Sequence, residues 1–166
     1  MSVVIPDSVT TIGSSAFYFC DNLTSVEIGN GVTSIGSSAF YSCDSLCKVI
    51  NHSNLAFTIG SSNNGYIAYY TKILIDKNEN ATYKDGKEYI ETEDQFLFEK
   101  ENGKYRLIAY LGQEETVTLP TNVNGVLYAI YRMRGVRNVI IPNCIASIDD
   151  YAFDGCNTLT SIVVPN

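Results

Sequence analysis

The stretch Val3-Val4-Ile5-Pro6-Asp7-Ser8-Val9-Thr10-Thr11-Ile12-Gly13-Ser14-Ser15-Ala16-Phe17-Tyr18-Phe19-Cys20-Asp21-Asn22-Leu23-Thr24-Ser25 is written again, nearly unchanged, from Val26 to Lys48. Ile28, Val32, Ile35, Ala39, Phe40, Cys43 and Leu46 stand where Ile5, Val9, Ile12, Ala16, Phe17, Cys20 and Leu23 stood. A third clean copy fills Val139–Ser161, and Ile162-Val163-Val164-Pro165 opens another. The step is 23 residues each time. Self-similarity at such a period is the signature of a solenoid. One coil has too little apolar surface to offset the ordering of its own backbone, so stacking is compulsory.

Within a coil, Val26 and Ile28 alternate with polar neighbours and face one side of a short strand. Gly29-Asn30-Gly31 turns the chain, as Pro6-Asp7-Ser8 does one coil earlier. Val32-x-x-Ile35 makes a second inward-facing extended piece. Gly36-Ser37-Ser38 then offers serine caps for one predicted helical turn at Ala39-Phe40-Tyr41, before Asp44-Ser45 returns the chain to Leu46. The fold class is therefore a β-rich solenoid with short helical or 3-10 arcs.

The pattern then loosens. Ile59-Gly60-Ser61-Ser62 repeats the Ile-Gly-Ser-Ser signal, Asn63–Tyr70 predicts a longer aromatic helical turn, and Tyr70-x-x-Ile73-x-Ile75 restates the strand. Between Asp76 and Glu115 the repeat disappears, and this stretch carries 11 of the 18 acidic residues, which marks it as largely solvated. Asp76–Gly86 reads as a polar loop, and Gln95–Tyr110 as a β-hairpin turning at Asn102-Gly103. The repeat resumes at Val117-Thr118-Leu119-Pro120, gains residues at Asn124-Gly125, and loses them from an arc holding Arg132, Arg134 and Arg137. Three segments follow: 1–75, a first array of about three coils and a strand; 76–116, a charged loop and hairpin insertion; 117–166, a second array.

At 45% apolar and 17% charged, the composition is that of a folded chain. A net charge of −7 argues against nucleic acid as a partner, since phosphate backbones want a basic stripe. No apolar run is long enough to span a bilayer, so direct membrane insertion is not expected. The chain starts inside its own repeat without a signal peptide and reads as a fragment of a longer protein. Cys20, Cys43 and Cys156 share one repeat position, and all five thiols are expected free and buried as small hydrophobes. With no Cys-x-x-Cys pair and one histidine, His52, no metal site and no cofactor is expected. Glu93-Asp94 and Glu114-Glu115 are adjacent acids that do not point at one reacting atom and read as a solvated edge, so no catalytic residues are assigned and the chain is expected not to be an enzyme.

The units Ile5–Val26, Ile28–Val49 and Ile141–Ile162 follow I-P-x-x-V-x-x-I-G-x-x-A-F-x-x-C-x-x-L-x-x-V-x, which resembles the leucine-rich repeats of BspA-like proteins, abundant on gut and oral anaerobes and some parasitic protists. Leu107–Gly112, followed by Val117–Pro120 and Val123-Asn124-Gly125, resembles the hairpin that opens such arrays. The unit departs from the common leucine-rich consensus at Gly31, Asn54 and Cys144, so no continuous asparagine ladder forms. The resemblance implies a bacterial cell-surface or secreted protein that attaches to other macromolecules.

Three surfaces compete for that role. Val4, Glu27, Ile50, Leu74, Thr118, Ile140 and Val163 occupy the outward strand position of successive coils. Five of the seven are aliphatic, which predicts an apolar strip suited to a protein partner such as a host extracellular protein; strand propensity alone would also favour them. Arg132, Arg134 and Arg137, with Arg106, form a weaker candidate for gripping an acidic partner or sulfated sugar, or simply balance the acidic insert. Tyr66, Tyr69, Tyr70, Tyr83, Tyr89, Tyr105 and Tyr110 offer rings for carbohydrate, or for packing around the hairpin. The leading expectation is a non-enzymatic protein-binding or adhesion module; the alternatives are a carbohydrate-binding module and a structural spacer. End-to-end self-association through uncapped coils is also expected.

Overall fold

In the computed structural model, which describes residues 1–145 and 147–164, the strands of successive coils pair in parallel at the sequence period. Pro165, read above as part of a further repeat, lies outside the described residues. The chain divides into two units, Met1–Gly86 and Lys87–Asn166. The first contains β1 Ser2–Ile5, β2 Thr11–Ile12, β3 Ser25–Ile28, β4 Ser34–Ile35, β5 Lys48–Asn51, β6 Ile73–Ile75 and β7 Ala81–Tyr83. The second contains β8 Glu88–Glu91, β9 Phe96–Glu101, β10 Lys104–Tyr110, β11 Thr116–Thr118, β12 Tyr128–Arg134, β13 Asn138–Ile140, β14 Ser147–Ile148 and β15 Ser161–Val163.

In the first unit the main sheet runs β1-β3-β5-β6-β7, with β2-β4 as a small sheet on the other side of the coil. Val3 pairs with Val26, and Val26 with Val49, a step of one repeat. Ile5, Ile12, Leu23, Val26, Ile28, Val32, Phe40, Leu46, Val49 and Leu74 form the core between the sheets and the arc. Every one of these follows from the repeat pattern except Leu74. Val49 pairs with Leu74, not Ile73, so the third coil is 25 residues long; Leu74 turns into the core and Ile75 outward, opposite to the expectation, while Ile73 is buried. The polar loop expected at Asp76–Gly86 contains β7, which lies antiparallel against β6.

The arcs carry no helical turn of the expected kind. In the first arc the amides of Ala16, Tyr18 and Cys20 donate to the carbonyls of Gly13, Ser15 and Phe17 at 3.3, 3.1 and 3.2 Å. The intervening amides of Ser15, Phe17 and Phe19 donate to Ser37, Ala39 and Tyr41 of the next coil at 3.0, 2.7 and 3.0 Å. A helix would direct all these donors along its own axis and leave neighbouring coils unlinked. The alternation requires left-handed backbone at two places per arc: Ser15 and Phe19, Ser38 and Ser42, Tyr151 and Gly155. The third coil has a short 3-10 turn at Asn64–Tyr66, and a second such turn follows β7 at Lys84–Gly86.

In the second unit the hairpin forms as expected, with Asn102 and Gly103 both at positive φ in a two-residue turn. β10 then pairs in parallel with β12, and β12 with β14, giving the sheet β14-β12-β10-β9-β8; β11-β13-β15 form the other side of the coil. The segment 76–116 is therefore shared: β7 completes the first unit's sheet, and β8 to β11 belong to the second. Arg132 and Arg134 lie within β12, not on a shortened arc, and Arg132 at φ 47 falls where the β10–β12 register shifts. All five cysteines are free, but only Cys43 and Cys47 are buried; Cys20, Cys144 and Cys156 are half-buried.

Close stacking explains the glycine of the Ile-Gly-Ser-Ser signal. A Cβ on Gly36 would sit 2.4 Å from the Ser14 nitrogen, whereas one on Gly13 meets open space. Gly36→Ala should therefore destabilise by about 1–3 kcal/mol. Gly13→Ala, with the same local sequence, should be neutral or stabilising by up to about 1 kcal/mol. Urea midpoints decide the matter, and equal losses from both would place the requirement in the turn instead of in the stack.

Candidate functional site

The register aligns Val4, Glu27, Ile50 and Ile75 in one outward row across β1, β3, β5 and β6. Val4 is 64% exposed, while Glu27, Ile50 and Ile75 are half-buried. Leu74, assigned to this row from the sequence, is buried in the core, and Ile75 takes its place. The reason is that Val49 pairs with Leu74, one residue beyond the expected Ile73, since a one-residue shift in a strand exchanges its faces. Glu27 is not alone on the row: its Oε1 lies 3.0 Å from His52 Nε2, which puts the single histidine on the same surface. Thr118, Ile140 and Val163 also align, across β11, β13 and β15, and all three are exposed. The seven-residue strip expected from the sequence is thus two rows on two separate sheets.

A second surface emerges on the arcs. Tyr18 and Tyr41 stack with centroids 5.5 Å apart and planes at 15°, and Phe19 lies edge-on to both. Tyr41 meets Tyr66 at 5.1 Å, Tyr66 meets Tyr69 at 5.6 Å, and Tyr69 meets Tyr70 at 5.0 Å, all edge to face. Six rings from three coils form one connected ladder. Tyr18, Phe19, Tyr41 and Tyr69 are exposed. The Tyr70 hydroxyl accepts the Ser42 amide at 3.3 Å, fixing the last ring to the preceding coil. Of the seven tyrosines singled out from the sequence, only Tyr66, Tyr69 and Tyr70 join this surface. Tyr89, Tyr105 and Tyr110 are buried, the latter two in the hairpin core, and Tyr83 sits on β7. Tyr18, Phe19 and Tyr41 were missed, although their spacing of 23 between Tyr18 and Tyr41 was in the repeat itself.

The basic candidates do not form one patch. Arg106 and Arg132 flank the Tyr131 ring at 5.2 and 5.9 Å, and Arg132 also approaches Tyr151 at 6.0 Å. Arg137 instead faces Glu115, at 3.9 Å. Glu93, Asp94, Glu114 and Glu115 are exposed, the solvated edge expected of them, and the first three border an open cleft of about 610 Å³ with Phe96, Tyr110 and Thr118. Among the described residues no group of histidine, cysteine and acidic side chains could hold a metal ion, and no helix is long and apolar enough to cross a membrane.

Both rows and the ladder are built by repetition, and the repeat is recognisable. The BspA type leucine rich repeat region, in six copies, matches residues 1–84 and 112–166. The chain belongs to this BspA-type leucine-rich-repeat family. The match omits 85–111, the segment that carries β8, β9 and β10. A leucine-rich cell-surface protein from Faecalibacterium prausnitzii A2-165 is similar at 21% identity and a TM-score of 0.33, covering 99% of this chain and 60% of that one. A leucine-rich repeat protein from Eubacterium ventriosum ATCC 27560 is similar at 17% identity and a TM-score of 0.27, covering 99% and 72%. The chain thus spans under two thirds of the length of the Faecalibacterium protein. No curated protein gives a significant match.

The cysteine of the BspA-type repeat is a packing group, not a nucleophile. Cys43 is fully buried, its Sγ donates to the Phe17 carbonyl at 3.1 Å, and burial pushes its thiol up to about 12 from an ordinary 9.0. An unfolded Cys43 would ionise near its ordinary value, so burial supports the fold below pH 9 and that support fades as pH rises towards 12. Iodoacetamide at pH 8 should therefore label half-buried Cys144 and spare Cys43 in the native chain. Mass spectrometry of the alkylated peptides checks this; equal labelling would mean the coil opens readily.

Proposed function

We propose that this chain is a non-enzymatic binding module of a surface-displayed or secreted BspA-type protein. It takes hold of a protein partner, such as a host extracellular protein, with the outward sheet face of its first unit. The observation that carries this reading is the row Val4, Glu27, Ile50 and Ile75, held in register by four parallel strands. Aliphatic side chains at an outward position contribute little to the core, yet three of the four places hold them. A protein partner that covered the row would remove that apolar surface from water, and the Glu27–His52 pair beside it would give polar definition. Repetition favours binding over catalysis for a geometric reason. It multiplies equivalent positions along a line, whereas a reaction centre needs different groups converging on one point. The family resemblance supports display at the surface. The row Thr118, Ile140 and Val163 offers the second unit a smaller face of the same kind.

Val4→Lys with Ile50→Lys should leave the melting temperature nearly unchanged while weakening capture by a panel of purified extracellular matrix proteins at least tenfold. Leu74→Lys, one position from the row but 6% exposed, should instead unfold the first unit. Undiminished capture by the double lysine variant would refute the assignment of this face.

A further inference from the structure

We propose that the ring ladder Tyr18, Phe19, Tyr41, Tyr66, Tyr69 and Tyr70 is a binding site for a neutral oligosaccharide, separate from the sheet face. The rings follow the solenoid axis, with one coil-to-coil step of 5.5 Å from Tyr18 to Tyr41 and one of 5.1 Å from Tyr41 to Tyr66. The edge-to-face contacts from Tyr41 to Tyr70 hold each ring against its neighbour, so little rotamer freedom remains to be lost on binding. The negative faces of such rings attract the weakly positive C–H groups that line one side of a pyranose. Phenol hydroxyls add groups that both donate and accept, which suits the hydroxyls on the sugar's rim.

The surroundings select the ligand. The exposed large apolar residues on these arcs are all aromatic, without the methionine and arginine that enrich protein-docking cores. Their neighbours are small and polar: Ser15, Ser38, Ser42, Ser62 and Asn63. No lysine or arginine occurs before Lys48, and none between Lys48 and Lys72, so all three arcs lack a positive charge. Asp21 and Asp44 stand at equivalent places, and Asp44 lies close enough to Tyr70 to raise the pKa of its phenol, though burial does more. A negatively charged border repels sulfated or sialylated chains and acidic peptides. What fits an uncharged, hydroxyl-rich, ring-bearing ladder is an uncharged glycan laid across the coils.

Calorimetry with the full chain against cellohexaose, mannohexaose and xylohexaose, with a heparin hexasaccharide as the charged control, tests the proposal. At least one neutral hexasaccharide should bind and the heparin fragment should not. Phe19→Ala and Tyr69→Ala, both at exposed positions, should each weaken binding about threefold to tenfold, as expected for loss of one aromatic contact. Tyr69→Phe should keep most of the affinity, because the ring face carries it. Circular dichroism establishes that each variant is folded. Val4→Lys with Ile50→Lys should leave glycan binding intact, so failure of the sheet-face reading and failure of this one are distinguishable. The proposal is overturned if none of the neutral hexasaccharides binds at millimolar concentration, or if heparin binds as well. It is equally overturned if both alanine variants bind like the parent, or if they lose protein capture instead.

Discussion

The structure depends on main-chain hydrogen bonds that run from each coil to the next. In the first arc every second amide is reserved for this purpose, as when Phe17 donates to Ala39, and in the second Phe40 donates to Gly65, both at 2.7 Å. That assignment forbids a helix, sets left-handed residues at fixed places, and brings Gly36 so near Ser14 that no side chain fits. Non-glycine residues such as Phe19 and Ser42 accept an unfavourable φ because neighbouring bonds on both sides over-determine it. The 23-residue period is the length at which strand, turn and arc all return in register.

Breaks in the period are handled with antiparallel strands. β6 ends the parallel run of the first unit, and β7 folds back on it. β10 begins the parallel run of the second unit, and its other edge is covered by β9, with β8 beyond. In each case a strand edge that would otherwise present unpaired amides and carbonyls is satisfied locally. Charged side chains pair across this covering sheet: Lys87 with Glu99, Lys100 with Glu88, Arg106 with Glu101. Three of the eleven acids of the middle segment are placed this way, and the two pairs at exposed acids contribute orientation more than stability.

A repeat also determines what kind of surface can be made. Each coil of the first unit contributes one outward residue to the sheet row and one to three rings to the ladder, and register turns these into lines. The sheet row and the ring ladder are therefore independent of each other in sequence, since different positions of the same 23 residues build them. The Cys43 position, by contrast, points inward, and its buried thiol serves packing.

Much of this was legible in the chain itself. Repetition from Val3 to Lys48 determined the solenoid, the core positions from Ile5 to Leu46, and the family, because periodic burial leaves periodic apolar residues. The Asn102-Gly103 hairpin was equally local. Three things were not. Arc conformation is decided by bonds to residues about 22 positions away, so local helix signals at Ala39–Tyr41 were overruled. The facing of Leu74 and Ile75 depended on a one-residue difference in register that appears only when β6 pairs with β5. The ladder joined Tyr18, Phe19 and Tyr41 to Tyr66, Tyr69 and Tyr70, while Tyr89, Tyr105 and Tyr110 went into the second unit. Side chains remote in sequence become neighbours only through stacking, and register between coils is a property of the folded chain.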